Sequence, residues 1–520
     1  MSGLGPAAFA GRYDRQQSMT LKGASIPPPV GGLNARDELA DMDPRDALLL
    51  DNIFPQPSYA ALRQGYVSHA TGMTGTIKTL MQWGGAGSNK LKAAVGGEIY
   101  DVTNSGAVGA AEVTGLSVDI WQWCNFATSG GTFLVACNGT DAVRNYDGTS
   151  WTTPSITGVS SSASLIQVVP FKNRLWFIEK DTQNAWYLPT SSIAGAAVKF
   201  PLGGQFKLGG KLQAMGTLSK DAGDGVDDYL VFLSSKGEMS IWQGTDPASA
   251  TTFAIIGNYR IGTPVGPRCI VDVAGDLGVI TSDGVVSVNV MMRNDRASSA
   301  KAAITTKIQN LFNFYVSSYS SLEGWMPLVY PRGNWAVFNI PLSSKEFIQL
   351  VMNSITGAWC RFTNMNAFCW GLLGDDIYFG GTDGVVYMAD SGYADDSSVI
   401  TANLKTAWNY FNQRGHQKLF TLIRPVISTN GIPSILMNLN VDFQDVAPTG
   451  TISAAAPANS LWGVALWGVG QWAGTASIVT NWNSPLALGY CAAVRMTITS
   501  NNSSFILNSF DVQMQSGGAL

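Results

Sequence analysis

The stretches LGVITSDGVVSVNV (277–290) and IYFGGTDGVVYMAD (377–390) follow one plan. β-Branched and aromatic residues flank an Asp-Gly step, which is the signature of a tight β-hairpin. The plan recurs in LKAAVGGEIYDV (91–102), FLVACNGTDAVRNYDG (133–148), RLWFIEKDTQNAWYL (174–188) and YLVFLSSKGEMSIW (229–242). A weaker copy is NWAVFNIPLSSKEFIQLVMNSITGAW (334–359). The hairpins start roughly 40–58 residues apart, the period of a β-propeller blade. A further apolar strand precedes most of them: VDIWQWCNF (118–126), LIQVVPF (165–171), CIVDVAG (269–275) and AFCWGLLG (367–374). A mainly β chain with a propeller of about seven blades over 76–397 is the expected fold.

Composition agrees. Only 13% of the 520 residues are charged, 10% are aromatic and 57 are Gly. Few charges with many apolar residues exclude disorder, and a shortage of Glu, Lys and Arg excludes a helix-rich protein. In a propeller each blade buries both faces against its neighbours, so apolar residues need no polar counterface. The net charge of −4 argues against a surface that grips nucleic acid, though it suits a wall past which DNA slides. Six cysteines (Cys124, Cys137, Cys269, Cys360, Cys369, Cys491) form no CxxC pair and read as buried thiols of a reducing compartment. No apolar leader and no run of 18 apolar residues occurs, so a soluble protein without a signal peptide is expected.

The flanks differ from the repeat. Residues 1–25 read as an arm that is mobile or ordered by a partner. In 26–75, Asp43 followed by Pro44 has the form of an N-cap and first helical residue, predicting a short helix over Arg45–Asn52. Within the repeat, Pro189–Gly210 reads as a loop decoration. The segment 299–321, with Ile304, Ile308, Leu311 and Phe312 on one helical face, reads as an inserted amphipathic helix. Over 398–520, LFTLIRPVISTNGIPSILMNLNVDF (419–443) and CAAVRMTITSNNSSFILNSFDVQM (491–514) predict long strands of a separate antiparallel domain.

Between them lies NSLWGVALWGVGQWAGT (459–475), with Trp462, Trp467 and Trp472 at a spacing of five. That step forms neither a helical stripe nor one strand face. Glycines between the indoles let the chain bend and seat each in a different pocket. Three readings are open: a connection pinned to its own domain, a buried seam between subunits, or contact with a membrane envelope.

Reactive chemistry is sparse. His69 and His416 stand alone, outside any metal or triad motif, and read as satisfied or surface histidines. GGAGSNK (84–90) lacks phosphate-loop spacing and reads as a hairpin turn. KDAGDGVDD (220–228) clusters Asp221, Asp224, Asp227 and Asp228; it could hold a hard cation, but reads better as a solvated acidic loop. NYDGTSW (145–151) is near a sialidase Asp-box turn but lacks a residue between Asp and Gly. A glycosidase would need carboxylates about 5–10 Å apart, and nothing nominates such a pair. No catalytic, cofactor-binding or metal-ligating residue is assigned, and an enzyme is not expected.

PPPVGGLNARDELADMDPRDALLLDNIFPQPSYAALRQGY (27–66) resembles the N-terminal signature of the tail nozzle (tail tubular) proteins of short-tailed bacteriophages. The matching positions are Gly31, Gly32, Leu33 and Asn34, then Asn52 and Pro55, then Arg63 and Gly65. LIRPVISTNG (422–431), NLNVDFQD (438–445) and SGG (516–518) are similar to the same family. The resemblance implies a non-enzymatic virion protein, assembled in the host cytoplasm as a hexameric ring below the portal and adaptor rings. It implies a channel for double-stranded DNA at genome ejection, docking of fibres or spikes at the periphery, and no stable membrane insertion. Trp462, Trp467 and Trp472 are then candidate subunit-interface residues. The alternative reading is a protein- or carbohydrate-interaction propeller, with a depolymerase as its enzymatic form.

Overall fold

The computed structural model describes residues 21–85, 87–221, 226–273, 275–453 and 477–519. Among the described residues seven blades follow one another along the chain and form a propeller, six of them separate sheets and the sixth in order part of a larger one. Blade one is Thr79–Gly84, Asn89–Val95 and Glu98–Asp101. Blade two begins with Gln122–Thr128 and Gly131–Cys137, blade three with Leu165–Phe171 and Arg174–Glu179, and blade four with Leu212–Asp221 and Val226–Ser234. Blade five is Ile270–Val273, Asp276–Thr281 and Gly284–Ser287. Blade six runs from Met326–Tyr330 through Trp335–Pro341 and Phe347–Asn353 to Trp359–Phe362. Blade seven contains Ala367–Leu373, Asp376–Gly381 and Val386–Ala389.

The first strand of each blade packs on that of the next, and Ala367–Leu373 packs back on Thr79–Gly84, so the ring closes. A strand from the start of the propeller fastens that closure: Tyr66–Thr71 pairs antiparallel with Val386–Ala389 as the outer strand of blade seven. Every hairpin read from the sequence supplies two adjacent strands of one blade. Both faces of those strands are covered, which is why they carry unbroken apolar runs; Trp335–Pro341 and Phe347–Asn353 are buried at every residue. In the turn of blade one, Gly96 (φ 62°) and Gly97 (φ 80°) supply the two left-handed residues a two-residue hairpin turn demands.

The flanks do not form the units expected of them. The helix expected over Arg45–Asn52 is a strand, Asp46–Asp51. Asp43 accepts the Arg45 backbone N–H at 2.8 Å, so its side chain closes a turn and not a helix. The apolar run Leu48–Leu50 then inserts as a sheet strand beside Ile400–Thr406, a tertiary pairing that outweighs the local helix signal. That sheet is continuous with blade six, because Asp51 pairs with Arg361 on the last strand of the blade. It extends through Ala492–Ser500, Ser434–Val441 and Gly450–Ile452.

A second sheet faces it, built on His416–Thr429 and Ile506–Ala519 with Leu21–Ile26, Ile53–Pro55 and Ala60–Leu62. The Asn-Gly and Asn-Asn turns therefore do not fold hairpins; each carries the chain from one sheet to the other. The two corners clasp, Asn430 and Ser504 exchanging backbone-to-side-chain hydrogen bonds at 3.0 and 2.6 Å. Phe420, Ile423 and Phe510 from one sheet share a core with Ile435, Met437 and Val494 from the other, and that core runs on into blades five and six. The expected division at 75 and 397 is thus redrawn: N-terminal and C-terminal segments interleave in one β-sandwich that grows from the propeller.

Pairing brings three smaller corrections. Pro189–Gly210 is more than decoration, since Val198–Pro201 is the fourth strand of blade three. The copy at 277–290 ends as a strand at Ser287, whose hydroxyl accepts the Val290 N–H and starts the helix Val288–Arg293. The inserted helix over 299–321 is broken into Arg296–Lys301 and Gln309–Tyr319, with Ile308, Phe312, Tyr315 and Val316 buried. Residues 1–20 of the expected arm lie outside the described residues, whereas Leu21–Ile26 is a strand on Ile506–Ala519.

Candidate functional site

The eight signature positions form two polar knots where the sandwich joins the propeller. In the first, Asn34 donates to Asp46 at 2.7 Å and to Asp37 at 2.8 Å. Lys307, from the insertion before blade six, donates to Asp46 at 2.6 Å and to the Gly31 carbonyl at 2.8 Å. Gly31 lies so close that an added Cβ would sit 2.1 Å from Asp46 Oδ1. Gly32 has φ +81° and no room for a Cβ beside the backbone of Trp359, while Leu33 is buried in the shared core.

The second knot is centred on Arg63, whose side chain is fully buried. It makes a bidentate pair with buried Asp395, at 2.8 and 2.7 Å. Its Nε–H donates to Asn52 Oδ1 at 2.9 Å and its Nη2 to the Thr363 carbonyl. Asn52 adopts a left-handed backbone (φ 57°), which its short polar side chain tolerates, and donates to Thr363 and to the Thr401 carbonyl. Asn353 of blade six donates to the Pro55 carbonyl at 2.9 Å. Gly65 passes the Ala394 carbonyl so closely that a Cβ would sit 1.8 Å from its oxygen. The knot ties the strand that closes the ring to blade six and to the sandwich.

Gly65→Ala is expected to cost at least about 1–3 kcal/mol, because backbone, unlike a flexible side chain, has to yield. Gly23, with nothing within 4 Å of its Cβ position, is the control. Urea denaturation of both Ala variants checks this, and equal midpoints would refute the close-approach argument.

The other positions singled out in the sequence are accounted for locally. His69 Nε2 lies 3.0 Å from the Val102 carbonyl and His416 Nδ1 3.3 Å from that of Gly517. The GGAGSNK stretch links two strands of blade one, and NYDGTSW is a turn in which Asp147 accepts the Thr149 and Ser150 N–H groups. Of the acidic stretch, Asp228 pairs with Lys172 at 2.5 Å and accepts from Ser219, and Asp224 lies outside the described residues. Trp462, Trp467 and Trp472 also lie outside them. Among the described residues no three His, Cys, Asp or Glu side chains gather as metal ligands. All six cysteines are free, and burial pushes the thiols of Cys124, Cys269 and Cys369 up to about 12, far from thiolate chemistry at neutral pH.

Sequence reading missed the groups that complete these knots, Asp46, Lys307 and Asp395, and it missed Arg268 on the propeller axis. Arg268 donates to the Lys78 and Trp121 carbonyls at 3.1 and 2.9 Å and to Thr79 Oγ1 at 2.6 Å, linking blades one, two and five. A basic residue directly before the apolar run CIVDV was the only local signal for it.

No protein-family profile matches the chain, and no curated protein matches it in sequence. Among solved structures it is similar to BBS1N in complex with ARL6DN, at 11% identity over 63% of this chain and 98% of that chain, with TM-score 0.40. It is similar to the WD40 β-propeller domain of Doa1, at 12% identity over 62% and 96%, with TM-score 0.38. A third is YCF48 bound to D1 peptide, at 11% identity over 65% and 96%, with TM-score 0.35. The chain is a β-propeller protein.

Proposed function

We propose that this chain is a structural, non-enzymatic subunit of a ring, a tail nozzle of the kind its N-terminal signature resembles. The observation that carries the assembly is the outer face of the second sandwich sheet. Leu21, Gln515, Leu419 and Leu488 stand in one row across four strands, so their side chains share a face. Leu21 is 58% and Leu488 55% exposed; Ile478, on the edge strand Ser477–Val479, and Leu486, just before the strand that carries Leu488, are 70% and 72% exposed. A sheet that leaves this much apolar surface to water is a contact surface awaiting a partner. The strand Ser477–Val479, on the edge of the same sheet, directly follows the tryptophan-rich segment.

In this reading six copies surround a channel, below an adaptor or portal ring, with fibres or spikes on the periphery. The low charge of the chain, −4, favours passage of DNA without phosphate capture. The two knots suit such a part, since they make propeller and sandwich one body able to bear load. The alternative of a protein- or carbohydrate-interaction propeller draws its support from the fold and from a cavity on the propeller axis.

Native mass spectrometry and negative-stain microscopy of the full chain are expected to show a closed ring. Leu21→Asp/Leu488→Asp is expected to dissolve it while leaving the melting temperature of the monomer within about 2 °C, because both side chains are more than half exposed in the single chain and each stands to lose about 1 kcal/mol of burial in the assembly. A chain that stays monomeric at high concentration with its adaptor present, or rings indifferent to both substitutions, would overturn the proposal.

A further inference from the structure

A cavity of ≈ 200 Å³ lies on the propeller axis, lined by blades one, two, three, five and six. It sits at the end where the innermost strands begin, since Thr79, Gln122, Ile270 and Met326 are each the first residue of their strand. Arg268 is the one ionisable side chain among the described residues that line it. Its hydrogen bonds go to neutral acceptors, three oxygens and, at 3.9 Å, the Met326 sulfur, and no carboxylate stands within ion-pair distance among the described residues. The nearby carboxylate of Glu323 is taken by Lys78 at 3.0 Å. The Nε–H of Arg268 has no acceptor among the described residues.

A guanidinium remains a cation in any protein environment. Surrounded by protein, this one has lost hydration that carbonyl groups replace only in part, and burial draws its pKa below the ordinary arginine value. It keeps some accessible surface, which opens onto the cavity. An anion arriving from outside would meet a desolvated charge and a free N–H, the conditions under which charge-assisted hydrogen bonds are strong. The remaining wall is mixed: Leu80, Trp123, Ile270 and Met326 supply its apolar part, and Thr79, Gln122 and Gln167 stand beside them. A phosphate needs several free charged donors, whereas one carboxylate on a small hydrocarbon body matches one cation with the apolar side chains of Leu80, Ile270 and Met326 beside it. The volume is below the roughly 300–1,000 Å³ of pockets for drug-sized ligands.

We propose that the axial cavity binds a small apolar monocarboxylate, with its carboxylate on the Arg268 guanidinium and its hydrocarbon part against Leu80, Ile270 and Met326. The carboxylate has two sources, a free carboxylic acid or the C-terminus of a docked chain. The site does not depend on ring formation and goes beyond the nozzle reading. A purely structural Arg268 would staple three blades and bind nothing.

Calorimetric titration of the full chain with hexanoate, 1-hexanol and inorganic phosphate separates these cases, and a short leucine-terminated peptide is compared as free acid and as amide. Hexanoate is expected to bind with one site per chain, with hexanol and phosphate at least about tenfold weaker. Arg268→Met is expected to weaken hexanoate by about tenfold or more. Should Arg268→Met unfold, Ile270→Phe gives the same reading by filling the cavity while leaving the cation in place. Binding of the free-acid peptide but not of hexanoate assigns the site to a docked chain and supports the proposal. No binding of either, equal binding of hexanol or phosphate, or binding that survives cavity filling overturns it.

Discussion

Arg63→Ala is expected to lower the unfolding free energy by about 3–5 kcal/mol, the cost of removing one member of a buried ion pair. The Arg63 and Asp395 side chains are 0% and 3% exposed, so Asp395 would be left as a desolvated carboxylate that water cannot reach. Asn52 and the Thr363 carbonyl would lose a donor at the same time. The intact pair is worth far less than its loss, because desolvating two charges offsets most of their attraction. Arg63→Ala/Asp395→Ala is therefore expected to recover part of the deficit, with a coupling of about 1–3 kcal/mol.

The deficit also carries a pH signature. Burial lifts the Asp395 carboxyl above its ordinary value, with Arg63 pulling it back. Without Arg63 the lift grows, and a carboxyl raised in the folded state penalises folding above its folded pKa. That penalty is relieved as pH falls through the folded pKa towards the ordinary carboxylate value. Urea unfolding of wild type, both single variants and the double variant from neutral to mildly acidic pH measures this. A loss under about 1 kcal/mol for Arg63→Ala, or strictly additive costs, would show that the knot does not act as a unit. Hydrogen exchange in Tyr66–Thr71 and Val386–Ala389 reads the same weakness at the closure itself.

The second large effect is expected of Trp176→Ala, at about 3–5 kcal/mol. Trp176 is fully buried where blades three and four meet, with ring centroids of Tyr187 and Phe200 at 5.0 and 5.4 Å and of Phe253 and Phe232 at 5.7 and 6.0 Å. Truncation would open a cavity walled by four rigid rings, which collapse poorly into it. The indole N–H has no acceptor among the described residues, so Trp176→Phe removes an unsatisfied donor while keeping a ring in place. Its expected cost is about 1 kcal/mol. Urea denaturation with exchange protection over 165–260 compares the two; equal losses would mean that the contact between rings contributes little.

The repeat was readable because blade strands are buried on both faces, so that apolar runs, Gly-Gly and Asp-Gly turns all mark the same boundaries. LKAAVGGEIYDV and IYFGGTDGVVYMAD thus carried the architecture in plain form. Asp43-Pro44 misled because an aspartate that closes a turn and one that caps a helix look alike locally. The strand state of Asp46–Asp51 was settled by a partner strand more than three hundred residues away. The Asn-Gly and Asn-Asn turns were correctly placed, yet a turn does not say whether its strands pair or pass to facing sheets. Of the knots, Gly31, Gly32, Asn34, Asn52, Arg63 and Gly65 stood out by resemblance, whereas Asp46, Lys307 and Asp395 carried no local mark. Charged residues become partners only when the fold removes them from water together.

By itself, the sequence determined a mainly β chain, the blade hairpins and the turns that separate them, since these follow from local backbone preference and from burial of consecutive residues. Only the tertiary structure decided that Tyr66–Thr71 closes the ring, that the chain's two flanks share a sandwich, and that Arg63 and Asp395 form a pair. It alone placed Arg268 on the axis with no carboxylate within ion-pair distance among the described residues. Such contacts join residues far apart in the chain, and their free energy depends on a shared, desolvated environment that no short window of sequence contains.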